Sequence, residues 1–123
     1  MKNTITIKKN FEIKYLLSKG KWTRGNYITV YFKKSQNLTN LNRICFIVSK
    51  KAGNSVFRNR IKRLLRQSYY DLEGKTKQGY NILVMWKPRE NIENIKCEKV
   101  YKDMEKIFEE RDLLLWWKNF VFF

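Results

Sequence analysis

The sequence has no histidine, one proline, five glycines and two cysteines among 123 residues. Without histidine, neither an imidazole acid–base pair nor a Ser/His nucleophile is available, and protein nucleases commonly use these groups. Cys45 and Cys97 lie far apart, with no CxxC spacing and no histidine to complete a zinc site. They are therefore predicted to be core thiols in a reducing compartment.

Acidic residues are almost missing from the first part of the chain. Residues 1–70 contain 17 Lys or Arg and the single acid Glu12, whereas residues 71–123 contain ten of each sign. The whole formal net charge of +16 thus belongs to the N-terminal part, as expected for a surface that binds a polyanion. A Mg²⁺ site would need clustered carboxylates, and the remaining acids are spread along the C-terminal part. If the chain takes part in a reaction, we expect another component to supply the catalytic groups.

No long hydrophobic run is present either. The first twenty residues interrupt every short apolar stretch with charge, which excludes a signal peptide and predicts a cytoplasmic protein without a membrane partner. The apolar tail, residues 113–123, is about half of the ~20 residues that a transmembrane helix needs. We predict one domain over 1–123, with a core from about 7 to 112 and a tail that ends a helix or docks, the alternative being an exposed tail that binds a partner.

Hydrophobic periodicity predicts a mixed α and β protein. A short helix is predicted over about 8–19, ended by Gly20. Further predicted elements are a strand within 26–34, a loop at 35–42, a second strand at 43–49 antiparallel to the first, a central strand at 81–87 and a final helix over about 90–118. In the first strand Tyr27 and Tyr31 share one face, where they either stack on unpaired bases or pack as ordinary strand residues.

The stretch SKKAGNSVFRNRIKRLLRQ, residues 49–67, contains seven Lys or Arg and no acid. At 100° per residue one arc of a helix is occupied by Phe57, Ile61, Leu64, Leu65 and Leu72, and the opposite side by the five cations from Arg58 to Arg66. The helix is predicted to start at a cap provided by Ser55 or Asn54 and to end at Gly74. Because the anions of an ordinary solvated face are missing, this helix predicts a nucleic-acid-binding surface.

The same stretch resembles the signature of the bacterial ribonuclease P protein family, in which a lysine pair, a Gly-Asn turn and an Arg-Asn-Arg core lead into a basic helix. IKKNFEIKYLLSKGK (7–21) and GYNILVMWKP (79–88) also resemble the family. The resemblance implies an α+β fold, an α-β-β-β-α-β-α two-layer sandwich with a left-handed βαβ crossover, shared with one ribosomal protein domain. The fourth strand it requires is expected within KWTRG (21–25).

The resemblance also implies partners. The family's protein binds a catalytic RNA and the 5′ leader of precursor tRNA, and the RNA performs Mg²⁺-dependent hydrolysis with Mg²⁺ bound mainly by RNA and substrate. No DNA specificity is implied. By position, the residues expected to contact the RNA subunit are Lys50, Lys51, Asn54, Arg58, Asn59, Arg60, Lys62, Arg63 and Arg66.

The leader cleft is expected to include Tyr27 and Tyr31, of which Tyr31 matches the family's strand aromatic. Ile13 and Leu17 occupy the positions of the first helix at which the family usually places phenylalanine. Aliphatic side chains stack less well on bases, so leader binding is expected to differ here. A general RNA-binding or ribosome-associated protein of the same fold is the alternative, and a protein-only nuclease is disfavoured by the missing catalytic groups.

Overall fold

The computed structural model describes residues 4–35, 41–87 and 97–114, which form one five-stranded sheet and three α-helices. The strands are β1 (Thr4–Thr6), β2 (Lys21–Arg24), β3 (Ile28–Lys34), β4 (Asn42–Ile47) and β5 (Tyr80–Trp86). The helices are α1 (Asn10–Lys19), α2 (Ser55–Glu73) and α3 (Cys97–Glu110), with a 3₁₀ turn at Lys50–Ala52 before α2. The expected short strand β2 is confirmed, whereas β1 was not predicted from the sequence.

The strands are arranged in the order β1-β4-β5-β3-β2. The central position predicted for β5 is confirmed, because β4 pairs with it in parallel and β3 pairs with it antiparallel. The predicted opposite directions of β3 and β4 are correct, but the two strands are not neighbours. Ile82, Leu83 and Val84 of β5 are fully buried, so this strand is covered on both faces. It lies between β3 and β4 in the sheet.

The main core lies between the sheet and the two longer helices. Ile28, Val30 and Phe32 alternate along β3 and face this layer, as the period of two requires. They pack with apolar side chains of both helices, among them Ile61 and Met104. The sheet with α2 and α3 thus forms the predicted two-layer core, and α2 connects the parallel strands β4 and β5 as a crossover.

Helix α1 covers the opposite face of the sheet. Its buried residue Leu16 packs with Ile7, Cys45 and Leu83 in a second, smaller cluster. Burial raises the pKa of the Cys45 thiol, against a smaller lowering by the charge of Lys62. Cys45 is therefore a buried thiol, as predicted, while the side chain of Cys97 lies outside the described part and its role stays a prediction.

The final helix is shorter than predicted at its C-terminal end. It ends at Glu110, and Asp112 adopts a positive φ of 56° so that the Leu113 N–H donates to the carbonyl of Phe108 at 2.8 Å. Leu113 and Leu114 are buried, so the first residues of the apolar tail dock into the fold. With β1, they extend the core beyond 7–112. The predicted helical residues 90–96 and 115–118 lie outside the described residues.

Candidate nucleic-acid interface

The start of α2 is fixed by local hydrogen bonds. Asn54 is the N-cap, and its Oδ1 accepts from the Phe57 N–H at 2.9 Å. Ser55, the other predicted cap, is instead the first helical residue, and its Oγ accepts from Nη2 of Arg58 at 3.2 Å. Gly53 has a φ of 146°, and a Cβ there would lie 2.9 Å from the Phe57 ring, so glycine is required. These contacts hold the lysine pair beside the helix N-terminus, where free amides favour anions.

The outer face of α2 is cationic. Seven of the nine predicted RNA-binding residues are exposed, namely Lys50, Lys51, Asn54, Asn59, Arg60, Arg63 and Arg66. Arg58 and Lys62 are half-buried at the edge of the face. Among the described residues, no carboxylate forms an ion pair with any of the cations of this set. Their charge is therefore available to a partner outside the chain.

The two half-buried cations, Arg58 and Lys62, have different neighbours within the fold. The Nε atom of Arg58 is buried and has no hydrogen-bond partner within the described part of the chain, while its Nη2 donates to the Ser55 Oγ. The charge of Lys62 acts on the thiol of Cys45, which belongs to the cluster under α1.

The α1 side of the sheet brings together three of the four residues predicted to line a cleft. Ile13 and Tyr31 are partly buried against the second cluster, and Leu17 remains 37% exposed. Ile13 and Leu17 are four residues apart and lie on one flank of α1. The result is a shallow apolar surface beside Tyr31, bordered by Ile47 and Met85.

Tyr27 does not share this surface. It precedes β3, and its ring stacks on that of Trp86 at 6.0 Å between centroids. Tyr27 packs against the main core on the α2 and α3 side, whereas Tyr31 packs against the α1 cluster. The prediction that the two tyrosines lie on one face is wrong, because the alternation of β3 begins only at Ile28.

Trp22 is a site residue that the sequence reasoning missed. It pairs with Tyr31 across β2 and β3, so both side chains lie on the same face, and its indole is 53% exposed. The Arg24 guanidinium lies 5.9 Å from the indole centroid. A pocket of about 380 Å³ beside them is lined by Trp22, Arg24, Thr29, Tyr31, Met85, Trp86 and Lys87. The sequence signal that could have identified Trp22 was the alternation of residues 21–24, which pair with β3.

Metal-binding groups do not assemble in the described part of the chain. No group of three or more Cys, Asp or Glu side chains comes together there in a position to hold a metal ion. Asp103, the most buried acid among the described residues, instead accepts hydrogen bonds from the backbone N–H groups of residues 26–28. The described residues therefore do not form a Mg²⁺ site.

The fold and the site define an α+β class in which an unneutralised cationic helix lies beside an aromatic sheet surface, a combination suited to nucleic-acid binding. The family model described as Ribonuclease P matches residues 1–112. The chain is 34% identical over 114 residues to the ribonuclease P protein component of Oceanobacillus iheyensis, covering 93% of this chain and 92% of that protein. It is 35% identical over 111 residues to that of Fusobacterium nucleatum subsp. nucleatum, covering 89% and 98%.

A solved structure of the Staphylococcus aureus RNase P protein superposes with a TM-score of 0.74 at 24% identity, covering 88% of this chain and 95% of that one. This superposition supports the fold, and the sequence matches show the family relationship. The chain belongs to the ribonuclease P protein family. No helix among the described residues is long and apolar enough to cross a membrane.

Proposed function

We propose that this chain is the protein subunit of a ribonuclease P ribonucleoprotein, which removes the 5′ leader of precursor tRNA and forms the mature tRNA 5′ end. The observation that carries this proposal is the cationic face of α2, which meets no carboxylate among the described residues. A face of this kind fits the phosphate backbone of a folded RNA, because guanidinium groups bind phosphate oxygens in a forked geometry. The RNA subunit would bind here, through the nine residues of the signature.

The 5′ leader would bind on the α1 side of the sheet. Ile13, Leu17 and Tyr31 form an apolar wall, and Trp22 adds an exposed indole one strand away. The aliphatic residues on α1 lack stacking faces, so the indole of Trp22 would replace part of the stacking that aromatic residues on α1 would provide. Tyr27 is not part of this proposal, since its ring packs against Trp86.

The catalytic groups would belong to the RNA subunit. The chain has no histidine, and its described acids do not cluster. Mg²⁺ bound by RNA and substrate would supply the Lewis acid and activate the attacking water. The protein would contribute by holding RNA phosphates and by positioning the leader, work that takes place in the cytoplasm where precursor tRNA is made.

A cleavage assay at low Mg²⁺ tests the proposal. The cognate catalytic RNA is incubated with precursor tRNA, with and without this chain, and binding of the precursor is compared with binding of the same tRNA without its leader. We expect the chain to stimulate cleavage and to bind the substrate with a leader more tightly. Stimulation without leader preference would remove the leader cleft from the proposal. Absence of any stimulation would contradict the subunit role and leave a general RNA-binding protein of the same fold.

A further inference from the structure

Helix α1 divides its side of the sheet into two halves. It crosses above the row formed by Tyr31, Leu83 and Cys45 on adjacent strands. On one side are Ile13 and Leu17, the wall of the proposed leader cleft. Phe11 and Tyr15 lie about 200° around the helix, on the other side. The aromatic residues of α1 therefore face away from the leader cleft.

A pocket of about 380 Å³ lies on this second side. Its volume is within the range of roughly 300–1,000 Å³ that is typical of small-ligand sites. Lys33, Asn81 and Arg43 occupy one row across β3, β5 and β4 and line the pocket, together with Phe11 and Tyr15 of α1. A groove with aromatic walls and a row of polar side chains beneath them is thus open beside the helix.

The aromatic side chains of this pocket are exposed and held in place. Phe11 is 67% exposed and Tyr15 is 46% exposed. Nζ of Lys33 donates to the Tyr15 hydroxyl at 2.7 Å and lies 4.7 Å from its ring centroid, which fixes that ring. Phe11 keeps an accessible face, with Nζ of Lys9 at 5.8 Å from its centroid. An exposed ring flanked by cations is a surface on which a base stacks while its phosphate is neutralised.

The charge around the pocket is positive. Its one described acid is Glu12, and Arg43 donates to the Oε2 atom of that residue at 2.5 Å, so the acid is neutralised within the fold. Lys9, Lys33 and Lys34 form no ion pair with a described carboxylate. Asn81 also lines the pocket, and its buried Oδ1 has no hydrogen-bond partner among the described residues.

We propose that this pocket binds one unpaired nucleotide of a single-stranded RNA, with its base against Phe11 and its phosphate near Lys33 and Lys34. The site goes beyond the proposed function, because it lies on the far side of α1 from the leader cleft and is a second single-strand site. The strand it binds is either a distal part of the leader or an unpaired segment of the RNA subunit. Both present the same nucleotide chemistry.

Photocrosslinking of the full chain tests this proposal. The probe is a short single-stranded oligoadenylate with one central 4-thiouridine, and crosslinked peptides are mapped by mass spectrometry. We expect crosslinks at Phe11 and Tyr15, located by fragmentation of the peptides and separate from any at Ile13, Leu17, Trp22 or Tyr31. Phe11→Ala should reduce the yield at Tyr15 about tenfold, since one stacked base contributes roughly 1–3 kcal/mol. The crosslinks at Trp22 and Tyr31 should stay within about twofold.

Two control variants separate stacking from other effects. Leu17→Ala shortens a side chain on the opposite flank of the same helix and should leave the Phe11-side crosslink unchanged. Phe11→Tyr keeps an aromatic face and should retain the crosslink, whereas Phe11→Leu keeps only apolar area and should lose it. The high exposure of Phe11 predicts an unchanged melting temperature for all three Phe11 variants.

The result that overturns the proposal is a wild-type chain without crosslinks at Phe11 or Tyr15, or an equal yield at Tyr15 with Phe11→Ala. This result is distinguishable from failure of the proposed function, because the cleavage assay uses the wild-type chain and does not depend on Phe11. In the assembled complex, placing the 4-thiouridine in the leader or in the RNA subunit identifies which strand reaches the pocket. A crosslink from either strand supports the site, and its absence from both contradicts it.

Discussion

Helices α2 and α3 pack side by side on the same face of the sheet, yet their outer faces differ in charge. Each places one apolar face in the main core, α2 through Ile61 and Leu65 and α3 through Val100 and Met104. The outer face of α2 carries cations that no described carboxylate neutralises. The outer face of α3 alternates in sign and includes the ion pair between Glu98 and Lys102 at 3.1 Å. The apolar face determines where a helix packs. The charge pattern of the outer face determines whether its charges are neutralised within the fold.

The polar residues of α3 and of the segment after it also hold other elements of the chain together. Asp103 accepts from three successive backbone N–H groups at the turn between β2 and β3. Arg111 donates to the carbonyl of Trp22 at 2.9 Å and also to the Thr23 hydroxyl. The C-terminal part of the chain therefore holds in place the strand that presents Trp22, while α2 offers its charge to a partner.

Removing two cations from α2 should give the largest effect in this comparison. Arg60→Ala with Arg63→Ala should weaken binding to the RNA subunit about 100-fold, if each bond to a phosphate contributes about 1.5 kcal/mol. The salt slope of the binding constant should become shallower by roughly 0.7 for each phosphate that the variant no longer neutralises. Filter binding at several salt concentrations measures both quantities. The fold should be unchanged by circular dichroism, because both side chains are exposed.

The matched control removes the same charge from α3. Lys102→Ala with Lys106→Ala should change RNA affinity by less than about threefold, since these lysines lie on a face of balanced charge. Equal reductions in affinity for the two double variants would mean that net charge, and not the face of α2, determines binding. An unfolded Arg60 and Arg63 variant would contradict their placement on the surface.

Truncating the buried acid of α3 should affect stability more than any single exposed charge. Asp103→Ala removes the acceptor of three backbone N–H groups and should lower the free energy of unfolding by about 2–3 kcal/mol. Equilibrium urea unfolding measures this change. Glu109→Ala, at an exposed position of the same helix, should stay within about 0.5 kcal/mol. Similar values for the two variants would show that the turn between β2 and β3 does not depend on Asp103.

A smaller effect should distinguish two asparagines at the start of α2. Asn54→Ala removes the N-cap acceptor for Phe57 and should cost about 1 kcal/mol of stability. Asn59→Ala changes an exposed residue inside the helix and should stay within about 0.5 kcal/mol. Both are predicted to bind RNA, so urea unfolding without RNA isolates the structural part. The capping role would be refuted by equal stabilities of the two variants.

Local patterns were sufficient for much of the fold. The cationic helix from about Ser55 to Gly74, the central strand β5 and the short strand β2 all follow from periodicity, capping residues and the family resemblance. Three features were not predicted. β1 has only three residues, too few for a periodic signal, and the C-terminal end of α3 depends on Asp112 in the left-handed region. The separation of Tyr27 from Tyr31 depends on where β3 begins.

The site was predicted in part, for the same reasons. Five cations of the signature, Arg58, Arg60, Lys62, Arg63 and Arg66, lie on one helix, so their shared face could be computed from helical geometry. The contribution of Trp22 needs the register of β2 against β3, and the pocket beside Phe11 needs the row of Lys33, Asn81 and Arg43 on three strands. Such rows join residues that are far apart in sequence, and no local pattern encodes them.

The sequence by itself determined the segregation of charge, the absence of imidazole chemistry and the two faces of α2, because each depends only on residue types and helical spacing. Only the tertiary structure decided that β5 separates β3 from β4, that Asp103 reaches the turn before β3, and that α1 crosses its sheet face with aliphatic residues on one flank and aromatic residues on the other. These arrangements depend on which surfaces are buried against each other, and burial is settled by the whole chain at once.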